Sequence, residues 1–190
     1  MKIVLASASP RRSELLRMLG VRELEICPAR GEEKKEAGLS PAELVMSLSR
    51  AKAEEVSAQY PADTVIIAAD TIVWINGRVL GKPKSREEAA EMLHTLSGSW
   101  HEVYTGVALL SGGKTALEYE MSRVHFRPLT EGEIAAYIRD GEPMDKAGAY
   151  GAQGKGALFV DRIEGDFFNV MGLPVCRLGQ MLKERGVELL

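Results

Sequence analysis

The stretch Thr64–Leu80 reads TVIIAADTIVWINGRVL. Thr64 to Ala69 is β-branched and apolar, and Ile72 to Ile75 resumes that pattern beyond Asp70-Thr71. Asn76-Gly77 is the strongest two-residue hairpin signal, and Arg78 to Leu80 provide the returning strand. The spacing predicts two apolar strand segments with an acid at the break between them, then a tight hairpin. Upstream, Lys2 to Ala6 reads as a short buried strand. Ser9-Pro10 supplies an N-cap and a first-turn proline for a helix through Leu19, closed by Gly20. Leu24 to Cys27 reads as a second strand, Gly31 to Gly38 as a charged loop, and Ser40 with Glu43 as a capping box for a helix to about Ala58.

Downstream, Ser85 with Glu88 caps a helix ending near Leu96. Val103 to Leu110 and Leu117 to Phe126 read as strands joined around Gly112-Gly113. A shift of apolar parity between Met121 and Val124 suggests a bulge. Thr130 with Glu133 caps a helix stopped by Gly141. Beyond the glycine-rich segment Glu142 to Gly156, strands are expected near Ala157 to Ile163 and Phe167 to Met171. Pro174 then opens a helix with Val175, Leu178, Met181 and Leu182 on one face. Helices and strands intermix and several strands pair as hairpins, so the expected class is α/β with a mixed sheet.

Composition narrows the function. The chain has 190 residues, 24 Lys and Arg against 27 Asp and Glu, a net charge of −3 and 45% hydrophobic residues. A chain of this size buries roughly 70% of its unfolded surface and needs no staples. Cys27 and Cys176 form no disulfide framework, which favours a reducing cytosol. Met1 to Ala6 ends too early, at Ser7 and Arg11-Arg12, to be a signal peptide, and no apolar run is long enough to span a bilayer. Mild acidity opposes an extended nucleic-acid surface, so cations meant for a polyanion must be concentrated in one place.

Four segments offer chemistry. Ser7-Ala8-Ser9-Pro10-Arg11-Arg12 sits at a strand-to-helix junction, where free N–H groups, hydroxyls and guanidiniums suit phosphate oxygens; the alternative is an ordinary capped helix. Lys52 shares the stripe of Val45, Leu48 and Val56, so it either meets an anion or extends to the edge of the stripe. Asp70 could bind a hard cation or take a proton from water, or simply accept backbone N–H bonds in a turn; Lys82 lies just past the hairpin. Gly148, Gly151, Gly154 and Gly156 allow close backbone approach, and Gln153 can both donate and accept; the alternative is a flexible loop. Neither a Walker A loop nor a G-x-G-x-x-G fingerprint is present: Gly77 to Lys82 is one residue short, with Pro83 where Ser or Thr belongs. His94 and His101 lack metal-ligand spacing, and Glu32-Glu33 alone reads as a solvated charge run.

Taken together these segments resemble the Maf family of nucleoside triphosphate pyrophosphatases. The match is Leu5-Ala6-Ser7-x-Ser9-Pro10-Arg11-Arg12, Glu32-Glu33, Lys52-Ala53, Ala69-Asp70-Thr71, Gly81-Lys82-Pro83, Ser97-Gly98 with His101, Asp145 to Gly151, Gln153-Gly154 and Gly172-Leu173-Pro174. It is collinear over nearly the whole chain. The resemblance implies one domain over residues 1–190, with a mixed, elongated central sheet flanked by helices and a deep groove between two lobes. It implies hydrolysis of a nucleoside triphosphate between its α and β phosphates with a divalent cation, Mg or Mn. It also implies a homodimer, while composition points to the cytoplasm and to neither nucleic acid nor membrane as a partner.

By position, the resemblance makes Asp70 the proton acceptor and Glu33 its partner in holding the metal. It places Ser7, Ser9, Arg11, Arg12, Glu33, Lys52 and Lys82 in the substrate-binding lining, and Arg11, Thr71 and Gln153 at base selection. Arg11, Thr71 and Asp145-Lys146 match the branch acting on dTTP and UTP. The branch acting on 7-methyl-GTP, the alternative specificity, tends to carry tryptophan, glutamine and a Cys-Ala-Gly-Ser segment there. Ala152 stands where a larger aliphatic residue is common. A further alternative is a nucleotide-binding regulator of cell division, in septum formation, whose hydrolysis is incidental.

Overall fold

The structure, a computed structural model, describes residues 2–31 and 38–190. The elements are β1 (Ile3–Leu5), α1 (Pro10–Met18), β2 (Leu24–Ile26), α2 (Pro41–Ser57), β3 (Val65–Ile75), β4 (Arg78–Leu80) and α3 (Arg86–Leu96). They continue as β5 (Trp100–Ser111), β6 (Lys114–Phe126), α4 (Glu131–Asp140), β7 (Val160–Glu164), α5 (Phe167–Met171) and α6 (Val175–Lys183). Short 3₁₀ pieces at Glu142–Asp145, Ala147–Ala149 and Lys155–Phe159 lie between α4 and β7. Among the described residues the strands pair in the order β2-β1-β3-β5-β6-β7, with β4 on β3. The sheet is mixed, as expected: β1 runs parallel to β2 and β3, whereas β4 is antiparallel to β3 and β7 to β6.

The chain divides into two compact units, the first comprising Met1–Asp70, Thr105–Glu120 and Gly172–Leu190, the second Thr71–Tyr104 and Met121–Met171. In the first, β1 is paired on both edges, which is why its residues are uniformly apolar and buried. Val4, Ala6, Ala53, Val56, Ile66, Ala68 and Ala108 form one buried cluster there. Helix α2 seats closely: a Cβ at Gly106 would lie 2.3 Å from the Val45 carbonyl oxygen, so only glycine admits the helix backbone at this depth. That seating matters because α2 carries Lys52. The second unit is organised by aromatic contacts: the Phe126 ring lies 4.6 Å from Tyr150 and 5.1 Å from His101, both edge-on.

Several local expectations hold in detail. Asn76 and Gly77 take φ of 52° and 76°, the positive values a two-residue hairpin needs, and Ile75 pairs with Arg78. The Ser40–Glu43 and Thr130–Glu133 capping boxes form with both reciprocal bonds. Others require correction. The break at Asp70 does not occur: β3 is one strand from Val65 to Ile75, because an acid whose charge is matched by a lysine can sit inside a buried strand. Phe167–Met171 is a helix rather than a strand, since Asp166 Oδ1 accepts from the Phe168 N–H at 2.8 Å and caps its first turn. Lys155–Phe159 is 3₁₀, so β7 starts only at Val160. Ser85 accepts from the Glu88 N–H, but the Glu88 carboxylate takes the Lys84 N–H instead of closing the box. Ser9 stands at the N-cap of α1 without a side-chain capping bond. The β6–β7 register shifts between His125 and Phe126, later than the parity change suggested.

Candidate functional site

The polar groups of the first unit gather where β1 ends. At Leu5 the pairing of β1 with β3 is nearly finished, and the Ala6 N–H makes a last bond to the Ile67 carbonyl at 2.8 Å. Strand carbonyls alternate in direction, so the Ala69 carbonyl, two residues on, faces the same edge and has lost its strand partner. Arg12 supplies the replacement: its Nη1 donates to the Ala69 carbonyl at 2.8 Å and to Ser7 Oγ at 3.1 Å, while Nε donates to the Gly172 carbonyl at 2.7 Å. One guanidinium therefore ties helix α1, the edge of β3 and the turn before α6 together. Ser7 is buried, and its Oγ also accepts from the Ser9 N–H at 3.2 Å. The loop from β1 into α1 is thus shaped by side chains, and Pro10 begins the helix without an N–H to satisfy.

Asp70 follows directly on Ala69 and is buried, with 8% of its surface exposed. Lys52 reaches it from α2, and its Nζ donates to Asp70 Oδ1 in an ion pair. The helical stripe explains the reach: Val45, Leu48 and Val56 are buried on the same face and hold the lysine against the sheet. The structure gives Lys52 and Asp70 each other as partners. It removes the turn reading of Asp70.

Ser7, Ser9, Arg12, Lys52 and Asp70 therefore belong to one neighbourhood of the first unit, and Arg11 lies half-buried beside Arg12 on α1. Thr71, Lys82 and Gln153 fall in the second unit. Thr71 is half-buried, whereas Lys82 and Gln153 are exposed. The Gly148 N–H donates to the Gly81 carbonyl at 3.0 Å, joining the turn that carries Lys82 to the glycine-rich segment. Glu32 and Glu33 lie outside the described residues. Lys146 is buried and donates to the Glu142 carbonyl at 2.6 Å and to Asp145 at 2.7 Å. His101 is buried too, its Nε2 2.8 Å from Tyr150 Oη. Burial pushes its pKa down to about 3, with a smaller contribution from His125, so it is neutral. His94 is exposed near Glu131. Among the described residues no group of three or more His, Cys, Asp or Glu could hold a metal ion.

Sequence reading missed three features. Gly172 was visible only as part of a motif; its part is to offer a carbonyl to Arg12. Glu55 on α2 accepts from the Arg30 and Gly31 N–H groups at 2.7 and 3.0 Å and braces the chain just before residue 32. Glu142 accepts from the Lys155 and Gly156 N–H groups of the glycine-rich segment. Each is a side-chain-to-backbone contact across a long sequence separation, for which periodicity carries no signal.

Hydroxyls, cations and one carboxylate at the carboxyl end of parallel strands make an arrangement suited to an α/β protein that handles an anionic ligand. The chain belongs to the Maf family: the family model described as Maf-like protein matches residues 2–185. It is 50% identical over 188 residues to the dTTP/UTP pyrophosphatase of Bacillus cereus (strain AH187), covering 99% of this chain and 97% of that protein. A dTTP/UTP pyrophosphatase from Bacillus anthracis matches at the same 50% identity and coverage. Among solved structures, a HAM1 protein from Coxiella burnetii superposes with a TM-score of 0.53 at 18% identity, covering 97% of this chain and 99% of that one, a likeness of fold.

Proposed function

We propose that this chain is a nucleoside triphosphate pyrophosphatase that hydrolyses dTTP and UTP to the monophosphate and pyrophosphate. The observation that carries the reading is the ion pair of Lys52 on α2 with Asp70 on β3, one residue past the carbonyl held by Arg12. The 50% identity to dTTP/UTP pyrophosphatases over almost the full length supports the substrate class.

In this reading Asp70 accepts a proton from water as its oxygen attacks the α phosphorus. The bond from that phosphorus to the α–β bridging oxygen breaks, and its electron pair leaves with pyrophosphate. Lys52 keeps Asp70 in place and adds positive charge beside the phosphates, and the start of α1, with Ser7, Ser9 and Arg11, meets phosphate oxygens with hydroxyl and N–H donors. Arg12 acts largely through the protein, because its bonds to Ser7, Ala69 and Gly172 fix the loop that the phosphates meet. By the family resemblance Lys82 is assigned to phosphate binding, and Arg11, Thr71 and Gln153 to base selection. Gln153 suits that task because an amide donates and accepts at once.

Magnesium, or manganese in its stead, is the proposed cofactor. Asp70 is the described carboxylate suited to such an ion, which phosphate oxygens and water would complete, and the family resemblance assigns Glu33 as the second. Bound there, it would neutralise charge on the phosphates. A homodimer in the cytoplasm completes the proposal, and light scattering on the purified protein tests the dimer. The test of the whole is a panel of dTTP, UTP and 7-methyl-GTP with magnesium or manganese: pyrophosphate release from the first two, well above the third, is expected. Orthophosphate as the only phosphate product would refute the reaction class.

A further inference from the structure

Gln153 sits in a segment whose two sides are held by the same pair of side chains. On the near side, the Gly151 N–H donates to Tyr137 Oη at 3.2 Å, and that hydroxyl donates to Glu142 Oε1 at 3.0 Å. On the far side, the Lys155 N–H donates to Glu142 Oε2 at 3.0 Å and the Gly156 N–H to Oε1 at 3.2 Å. Lys146, whose ammonium is bonded to the Glu142 backbone carbonyl at 2.6 Å, lays its Cδ and Cε against Gly151. Between these anchors Ala152 is buried while Gln153 and Gly154 are exposed.

The glycines record how tight the arrangement is. A Cβ on Gly151 would fall 2.7 Å from Lys146 Cε, one on Gly154 2.8 Å from Glu142 Oε1, and one on Gly156 2.7 Å from Tyr137 Oη and 2.5 Å from the Gly151 carbonyl. Gly154 also takes φ of 106°, a conformation other residues rarely adopt. Of the four glycines that sequence alone would allow to be a flexible loop, three let the chain pack closely: Gly151 on Lys146, Gly154 on the Glu142 carboxylate and Gly156 on Tyr137. Tyr137 is itself fixed: it is buried, its ring is edge-on to Phe159 at 4.9 Å, and burial raises its pKa, so it remains a neutral hydroxyl.

We propose that Glu142, with Tyr137, is a positioning residue for base selection, holding the backbone on both sides of Gln153 at the position where its amide meets the pyrimidine. The proposal rests on the assignment of Gln153 to base selection. An amide contributes to discrimination only where its placement is fixed, and a displacement of about 1 Å can lower a rate by up to about 100-fold. The loop carries no other carboxylate that could substitute, since the Asp145 side chain is bonded to Lys146 and Asp140 holds the Lys155 ammonium.

The test measures kcat and KM for dTTP and dCTP in Gln153→Ala, Glu142→Ala, Tyr137→Phe and the double variant Glu142→Ala/Gln153→Ala, with thermal melts alongside. The expected result is a fall of about tenfold in the dTTP to dCTP ratio of kcat/KM for Glu142→Ala, carried by KM more than by kcat, and no further fall in the double variant. Tyr137→Phe, which keeps its ring packed and loses only the hydroxyl, should move the ratio in the same direction by less. It decides the question should Glu142→Ala fail to fold. If Gln153→Ala moves the ratio while Glu142→Ala and Tyr137→Phe do not, the positioning role is wrong and the Gln153 assignment stands. If Gln153→Ala leaves the ratio unchanged, that assignment fails and takes this proposal with it.

Discussion

The two compact units hold their buried polar groups in opposite ways. In the first, the central contact sets charge against charge: Lys52 meets Asp70 inside a strand, next to the Ala69 carbonyl to which Arg12 donates. In the second, charge faces backbone: Glu142 is occupied by N–H groups and a tyrosine hydroxyl, and His101 is kept neutral among aromatic rings. The first arrangement leaves ionised groups beside one another, where a ligand's charge can be exchanged for a partner's. The second turns the Glu142 carboxylate on the backbone and fixes shape. Substitutions in the first unit should therefore register mainly in turnover, and those in the second in stability and selectivity.

The largest expected effect is that of Asp70→Asn, which keeps the size of the side chain and removes its basicity. Turnover of dTTP should fall by about 10³-fold. Stability should fall by only about 1–2 kcal/mol, less than for a fully buried pair, because Lys52 retains contact with water. Adding Lys52→Met should restore the melting temperature but not turnover. A melting temperature that tracks activity through both variants would make the pair structural and erase the contrast between the units.

The second unit should respond to pH through His101. Its folded pKa, about 3, lies below the ordinary histidine value, so the unfolded chain binds the proton more readily as pH drops. This stabilisation is complete above about pH 6.5 and is lost as pH falls toward 3, at up to about 1.4 kcal/mol per pH unit. Melts between pH 4 and 7 should show that slope, and His101→Gln, which keeps a polar group for Tyr150, should flatten it relative to the parent chain. Identical slopes would mean that His101 is protonated in the folded state.

The smallest effect compares caps. Ser40 closes a full capping box on α2, whereas Ser85 makes only its half on α3. Ser40→Ala should destabilise by about 1 kcal/mol and Ser85→Ala by about half of that, read from denaturant melts.

What the sequence could disclose was local. Asn76-Gly77, the Ser40 and Thr130 capping boxes and the stripe of Val45, Leu48, Lys52 and Val56 all act within a few residues, and each forms as its pattern requires. Asp70 was legible as a site candidate but not as a strand residue, because what keeps it in the strand is Lys52, eighteen positions away. Phe167–Met171 carries the aromatic and β-branched residues of a strand. Its helix is set by the Asp166 cap and by Asn169, which is buried and donates to the Val103 carbonyl and Ser122 at 3.0 and 2.9 Å. Tertiary bonds overrode propensity there. The family motifs named Gly172 and the glycine-rich segment without a reason. Arg12 and Glu142 supply the reason in each case, through contacts that no spacing rule encodes.

The most direct test of the account is hydrolysis of dTTP by the purified protein in ¹⁸O-labelled water, with mass analysis of both products. Attack at the α phosphorus predicts label in dTMP and none in pyrophosphate. Label in pyrophosphate, or in orthophosphate, would place the water at another phosphorus and contradict the chemistry assigned to Asp70.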